Sequence, residues 1–351
     1  MKISSAFLAL FAMTSLLLSC SDRGGVEDYE FPGGEESGEG AGESPVAGED
    51  EDILQEGYPS SISLYSFTDW FDSDSKCVGW YAIADVSGEG AAAFSVRHFL
   101  SPGRTPEGIF SELELDGESP CIVTNAGYFY NGESMSLCIH EGQVESIATQ
   151  LAYPDGGTAY PVRAAFGMFP DGSFETTWIY CPNDGGQKPY SYPSPLDNDE
   201  STGTFMTDMP SASYEGAELW TPQEAIGGGP MIVLDGKNVA NEYYWREVLD
   251  AGGTAGMSRQ PRTAVGATAD GRVIVLVCDG RGMNGSLGYT LSELADKLIS
   301  LGAEKAINLD GGGSSAIVGK DGKVLNRPSD TGDGVSIVMR QVPTALVITA
   351  E

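Results

Sequence analysis

Ala303-Glu304-Lys305-Ala306-Ile307-Asn308-Leu309-Asp310-Gly311-Gly312-Gly313-Ser314-Ser315-Ala316-Ile317-Val318 is the stretch on which the reading of this chain turns. A short apolar run ends on Asn308 and Asp310, three glycines and two hydroxyls follow, and a second apolar run begins. Consecutive glycines lose much backbone entropy on folding and contribute no side-chain packing. Gly-Gly between apolar runs is also a hairpin signal. Glycines further serve where a backbone must come close to an anionic or sugar oxygen. A plain turn does not need Asn308, Asp310, Ser314 and Ser315 around it, so the segment reads as strand, functional loop, strand.

Outward from this loop the chain is rich in strand signals. Val78–Val86, Ala92–Phe99, Cys121–Asn125, Val162–Phe169, Phe174–Cys181 and Val335–Met339 are apolar, branched or aromatic runs between turn residues. Thr263–Thr268 and Arg272–Val277 read as a hairpin, and so do Ile317-Val318 and Val324-Leu325. Leu291–Leu301 is predicted helical: Leu291, Leu294, Leu298 and Leu301 share a face, Gly302 follows, and Thr290 with Glu293 form a capping box. A shorter helix is expected from Thr221-Pro222 through Ala225. Residues 183–221, dense in Pro, Ser, Asp, Asn and Gly, read as a loop insertion. The fold class predicted is α+β: mixed, strand-rich sheets with a few packed helices in one large domain, residues 58–351.

The first 57 residues read differently. Lys2 and the apolar run Ala6–Leu18 form an export signal too short for a stable membrane anchor. Leu17-Leu18-Ser19-Cys20 resembles a bacterial lipobox, with Cys20 as the lipidated first residue of the mature protein. Residues 21–57 hold 13 acids and one base. Such a segment buries too little apolar surface to fold, so it reads as a flexible, self-repelling tether. An acidic stretch after the cysteine resembles the surface-export signals of Bacteroidetes lipoproteins; a solvated spacer is the alternative. The expected location is the cell envelope, lipid-anchored in the outer membrane, with the membrane met through the anchor only.

The formal charge is −32, of which residues 58–351 carry −21. Nucleic acid is therefore not an expected partner, and an anionic substrate would need a locally basic site. Beyond Cys20 there are five cysteines, an odd number without a CxxC pair, which disfavours a zinc ribbon. Cys121 with Cys138 is the nearest candidate disulfide; buried free thiols are the alternative.

Five further segments place polar groups at strand ends, where sites are commonly built. They are Asn125-Ala126-Gly127-Tyr128-Phe129, Gly227-Gly228-Gly229-Pro230, Arg262-Thr263, Asp279-Gly280-Arg281 and Asn326-Arg327-Pro328-Ser329. Together with Thr290, Glu293 and Leu294 and with Asn308–Ser314, in this order, they resemble the phosphodiester glycosidase family. The resemblance runs from about Ala82 to Val347 and is strongest from Arg262 to Ser329. One departure is Ala126, where the family usually has glycine, which is expected to narrow the substrate pocket.

The resemblance implies hydrolysis of a sugar-1-phosphodiester, in a glycan or glycolipid, between the anomeric carbon and the phosphate. A phosphodiester leaves as a stable anion, so a cationic clamp and a carboxylate matter more than a strong acid. Asp310 and Asp279 are the candidate carboxylates, with Asp310 ranked first. Arg262, Arg281 and Arg327 are candidate bidentate phosphate ligands, and at least two are expected beside Gly311, Gly312 and Gly313. Asn125 and Asn308 suit sugar hydroxyls; Gly127, Phe129, Gly228, Gly229, Thr263, Ser314 and Ser315 complete the expected substrate-binding set. An ion pair with Asp279 is the structural alternative for Arg262 or Arg281. His98 and His140 read as structural, which disfavours a histidine-based triad. No cofactor is expected; Asp310, Asp279 and Glu293 are oxygen donors that suit a hard cation such as Ca²⁺, although EF-hand-like spacing is missing. Two other function classes compete: a non-catalytic glycan-binding surface lipoprotein, and another exopolysaccharide-acting hydrolase.

Overall fold

A computed structural model describes residues 56–148, 158–249 and 255–350; the signal segment, Cys20 and nearly all of the tether lie outside them. Three sheets dominate. The first has seven strands in the order Ile62–Trp70, Lys76–Asp85, Arg272–Cys278, Arg262–Thr268, Ala303–Asn308, Met231–Leu234 and Lys237–Asn238. The second, also of seven, runs Glu218–Leu219, Tyr190–Tyr192, Phe174–Tyr180, Arg163–Met168, Glu224–Gly227, Cys138–His140 and Gln143–Ser146. The third orders Ile317–Val318, Pro120–Asn125, Thr344–Thr349 and Ala93–His98. A ribbon of Phe129–Tyr130 with Glu133–Ser134 adds a small fourth sheet. The ladders in all three sheets are antiparallel, as in the register Val265↔Val275 and Val265↔Ile307.

The continuous apolar runs are explained by cover on both faces of the first sheet. Alternate residues of a strand point to opposite sides. Val265, Ala267, Val273, Val275, Val277 and Ile307 face the core shared with the other two sheets, with Phe94, Ile122, Phe166 and Leu346. Ala264, Ile274, Leu276, Cys278 and Ala306 face the opposite way, onto Tyr244, Leu291, Leu294 and Leu298. The last four residues belong to the helices Ala240–Arg246 and Leu291–Ser300. In the second of these, Glu293 N–H donates to Thr290 Oγ1 at 3.1 Å and Thr290 N–H to Glu293 Oε2 at 2.9 Å, the capping box its sequence predicts. The third helix, Pro106–Leu115, buries Ile109, Phe110 and Leu113 against Val123 and Val347 of the third sheet. Strands thus outweigh helices more than an α+β description conveys.

Several expectations are corrected. The helix read at 221–225 is the strand Glu224–Gly227, pulled into the second sheet between Arg163–Met168 and Cys138–His140. Val335–Met339 joins no ladder and makes only the single bridge Ser329↔Val338. The hairpin at 317–325 is found as read, though short: the bridge Val318↔Val324 is flanked by Leu325 N–H to Ile317 O and Gly319 N–H to Lys323 O, both at 2.9 Å. The 183–221 segment contributes two short strands to the edge of the second sheet. Cys121 and Cys138 are buried free thiols, as are Cys77, Cys181 and Cys278.

Candidate functional site

The glycine loop leaves the first sheet at Asn308 and threads between two other segments. Leu309 N–H donates to Thr263 O at 2.9 Å, Asp310 N–H to Ala126 O at 2.9 Å, and Gly312 N–H to Pro261 O at 2.9 Å. Its glycines are required by close approach rather than by a hairpin. At Gly312, φ is +59°, and a Cβ there would lie 3.0 Å from Arg281 Nη2. At Gly313 a Cβ would lie 2.6 Å from Asp330 Oδ1.

Asp310 occupies the mouth of this loop. Ser314, the Gly311 N–H and Arg340 stand by its carboxylate and favour its charged form. Burial nevertheless pushes the carboxyl up to about 6, outweighing these favourable partners. Ser314 Oγ in turn accepts from Arg340 Nη1 at 3.1 Å, and Arg340 Nε donates to Asp330 Oδ1 at 2.7 Å. Arg340 and Asp330 were not among the residues singled out from sequence; they belong to no motif and flank the 331–339 segment.

Arg281 and Arg340 both approach the glycines, Arg281 at Gly312 and Arg340 at Gly313. Arg281 Nε donates to Gln260 Oε1 at 3.2 Å and Nη1 to Ser329 O at 3.4 Å, while Nη2 faces Gly312. Among the described residues Arg281 has no carboxylate partner. Its φ of +55° is a region that costs a side-chain-bearing residue about 1 kcal/mol, a strain typical of functional positions. Arg327 is exposed, and its guanidinium makes no hydrogen bond within the described residues; its backbone N–H donates to Asp279 Oδ1 at 2.9 Å.

Asp279, 1 % exposed, is a brace. Beyond Arg327, it accepts from Asn284 Nδ2 at 2.7 Å and Asn326 Nδ2 at 3.1 Å. Burial raises it, too, to about 6. Its carboxylate ties the turn after Cys278 to the segment after the glycine loop.

Other expected contacts prove structural. Arg262 gives Nε to Tyr289 O at 2.9 Å and Nη2 to Ala255 O, Gly256 O and Ser258 O at 2.8 to 3.2 Å, so this buried guanidinium is engaged by carbonyls and is not part of a phosphate clamp. Asn125 Nδ2 donates to Asp310 O at 2.6 Å, while its Oδ1 accepts from Thr263 Oγ1 and Ala316 N–H. Asn125, Thr263 and Ser315 are thus buried loop supports rather than sugar contacts. Asn308 Nδ2 donates to Tyr128 Oη, Gly229 O and Leu309 O, joining Gly229 to the loop. Gly228 is needed because a Cβ would lie 2.4 Å from Asn308 O, and Gly127 because one would lie 2.6 Å from Ser136 Cβ. Ala126 is buried and holds Asp310 through its carbonyl, so its methyl does not narrow a pocket. Phe129 packs against the core around Val123. Glu293 is engaged by its capping box and by Arg259 at 2.6 Å, and His140 by Glu224 at 3.1 Å. Among the described residues no group of three or more His, Cys, Asp or Glu side chains could hold a metal ion; Asp279, Asp310 and Glu293 do not form one.

What converges, then, is Asp310, Ser314, the loop Gly311–Gly313, Arg281 and Arg340, with Arg327 nearby on the segment held by Asp279. Arg340 and the Gly311 N–H stand by one carboxylate of raised pKa, and the Arg281 guanidinium faces Gly312 on the same loop. This arrangement suits an anion whose neighbouring carbon is attacked.

A family model described as "Phosphodiester glycosidase" matches residues 121–349. The zebrafish N-acetylglucosamine-1-phosphodiester alpha-N-acetylglucosaminidase catalytic domain, auto-inhibited by its pro-peptide, is similar in fold. It is 18 % identical with a TM-score of 0.57, and the match covers 87 % of this chain and 89 % of that one. The SPbeta prophage-derived uncharacterized protein YomE of Bacillus subtilis (strain 168) is 38 % identical over 72 residues, 20 % of this chain. The match spans only 11 % of that relative's length.

Proposed function

This chain belongs to the phosphodiester glycosidase family, and we propose that it hydrolyses a sugar-1-phosphodiester, cleaving between the anomeric carbon and the phosphate. The observation that carries this reading is the Asp310 carboxylate beside Arg340 on the glycine loop, with the Arg281 guanidinium, which has no carboxylate partner among the described residues, facing Gly312 of the same loop. The zebrafish enzyme's name points to N-acetylglucosamine as the sugar to try first.

In this reading Arg281 and Arg340, with the Gly313 N–H, stabilise the phosphate as it departs with the bonding electrons. Asp310 faces the anomeric carbon, as nucleophile or as base to the incoming water, and works in its ionised form. Ser314 and the Gly311 N–H hold its orientation. The leaving group is already a weak base, so no second carboxyl is needed to protonate it.

The test is release of free sugar from N-acetylglucosamine-phospho-mannose. With Asp310 ionising at about 6, kcat/KM should rise through pH 6 and level off above 7. A profile that instead falls as pH rises through 6 would assign the carboxyl the role of acid. Binding without release would support a glycan-binding protein, and action on plain polysaccharide alone another kind of hydrolase.

We also propose that the protein acts at the cell envelope, held by a lipid on Cys20. The Leu17–Cys20 segment motivates this. Cys20→Ala should shift the protein from the membrane to the soluble fraction; unchanged fractionation would remove the anchor.

A further inference from the structure

Val335-Ser336-Ile337-Val338 alternates like a strand, yet no sheet takes it up. Val335 is 74 % exposed, Ile337 56 % and Val338 39 %. Three apolar side chains in four residues stand in water, at a cost that core packing elsewhere in the chain avoids.

The position of this loop gives the exposure a use. Its stems are Asp330 and Arg340, which pair with each other, and Arg340 also holds Ser314 of the glycine loop. Its tip is fixed by Asp333, whose Oδ1 accepts from Val335 N–H at 2.8 Å and Ser336 N–H at 2.7 Å. The tip leans on the phosphate side of the site: a Cβ on Gly334 would lie 3.0 Å from Arg281 O. Leu287, 41 % exposed, is carried on the same turn as Arg281, which is closed by Gly282 N–H to Ser286 O at 3.0 Å.

A phosphodiester has two esters. If the sugar lies at Asp310 and the phosphate at Arg281, the second alcohol emerges on the far side of the clamp, where this tip stands. We propose that Val335, Ile337 and Val338 form an apolar subsite for that alcohol. The substrate class is then a sugar phosphate esterified to an alkyl or isoprenoid chain. This rests on the phosphodiester reading above and is continuous with its clamp; a polar saccharide alcohol would gain nothing from these side chains.

The experiment compares the methyl and octyl esters of N-acetylglucosamine 1-phosphate, with wild-type protein and with the double variant Val335→Ser/Ile337→Ser. Both positions are exposed, so the variant should fold. Wild type should prefer the octyl ester in kcat/KM by about tenfold, the scale expected for partial burial of a few methylenes. The variant should lose that preference and keep its activity on the methyl ester. Equal rates on both esters by wild type, or equal losses by the variant, would overturn the subsite. If neither ester is hydrolysed, the phosphodiester glycosidase reading fails, and equilibrium titration with the two esters decides the subsite alone. Tighter binding of the octyl ester that the variant abolishes upholds it, and equal binding overturns it.

Discussion

Asp310→Asn is expected to lower kcat by about a thousandfold, the scale of a lost base or nucleophile, without lowering thermal stability. The second half of this result follows from the sign of the pKa shift. An acid whose folded pKa lies above its ordinary value binds its proton more tightly in the folded state. The fold is therefore penalised as pH rises from 3.8 through about 6, and above that the full penalty remains. Asparagine keeps an oxygen for the Ser314 hydroxyl and the Gly311 N–H but carries no charge, so it removes the penalty. Steady-state turnover and a thermal melt at pH 7 on the same preparation check both halves. A folded Asp310→Asn protein with near-normal turnover would end any catalytic role for this residue, and a melt several degrees lower would show that the carboxylate supports the fold instead.

Arg281→Ala should cost about 2–4 kcal/mol of transition-state stabilisation, roughly 30- to 1000-fold in kcat/KM, through loss of a charge-assisted contact in a partly desolvated site. Lysine should restore only part, since it lacks the guanidinium fork. The loss should be greater for a sugar phosphodiester than for an uncharged glycoside of the same sugar; equal losses would make Arg281 a scaffold residue. Backbone geometry adds a second readout. Because Arg281 sits at φ +55°, Arg281→Gly should be as inactive as the alanine variant yet at least as stable as wild type. A large drop in stability on glycine substitution would place the residue's value in packing and not in the clamp.

How much of this was legible beforehand can be argued residue by residue. The Thr290–Glu293 capping box and the 263–277 hairpin follow local rules, since each is satisfied by partners a few residues away, and they are found where expected. The glycine loop announced itself because three glycines make no sense in a core. What misled was competition from distant partners. Glu224 lies in a sequence that reads as a short helix, but its carboxylate receives Val96 N–H at 2.8 Å and Glu141 N–H at 2.9 Å, so cross-sheet bonds hold the segment extended. Arg262 sits in the strongest part of the family pattern, yet four carbonyls claim it. Arg340 stands outside any motif and is brought to the loop by an ion pair with Asp330 across ten residues. Net charge says nothing of placement, so the local cations an anionic substrate would need were read from Arg281 and Arg327 and not from composition.

The strand Thr344–Thr349 lies inside the third sheet, between Ala93–His98 and Pro120–Asn125. Its first residue receives Gly127 N–H on Thr344 Oγ1 at 2.9 Å and Ala126 N–H on its carbonyl at 3.1 Å, beside the point where Ala126 holds Asp310. A chain in which residues 344–349 are not seated in the sheet therefore lacks the support behind Ala126 and, through it, Asp310. A variant in which this strand cannot pair, such as Val347→Pro, should therefore lose activity even where the rest of the fold survives.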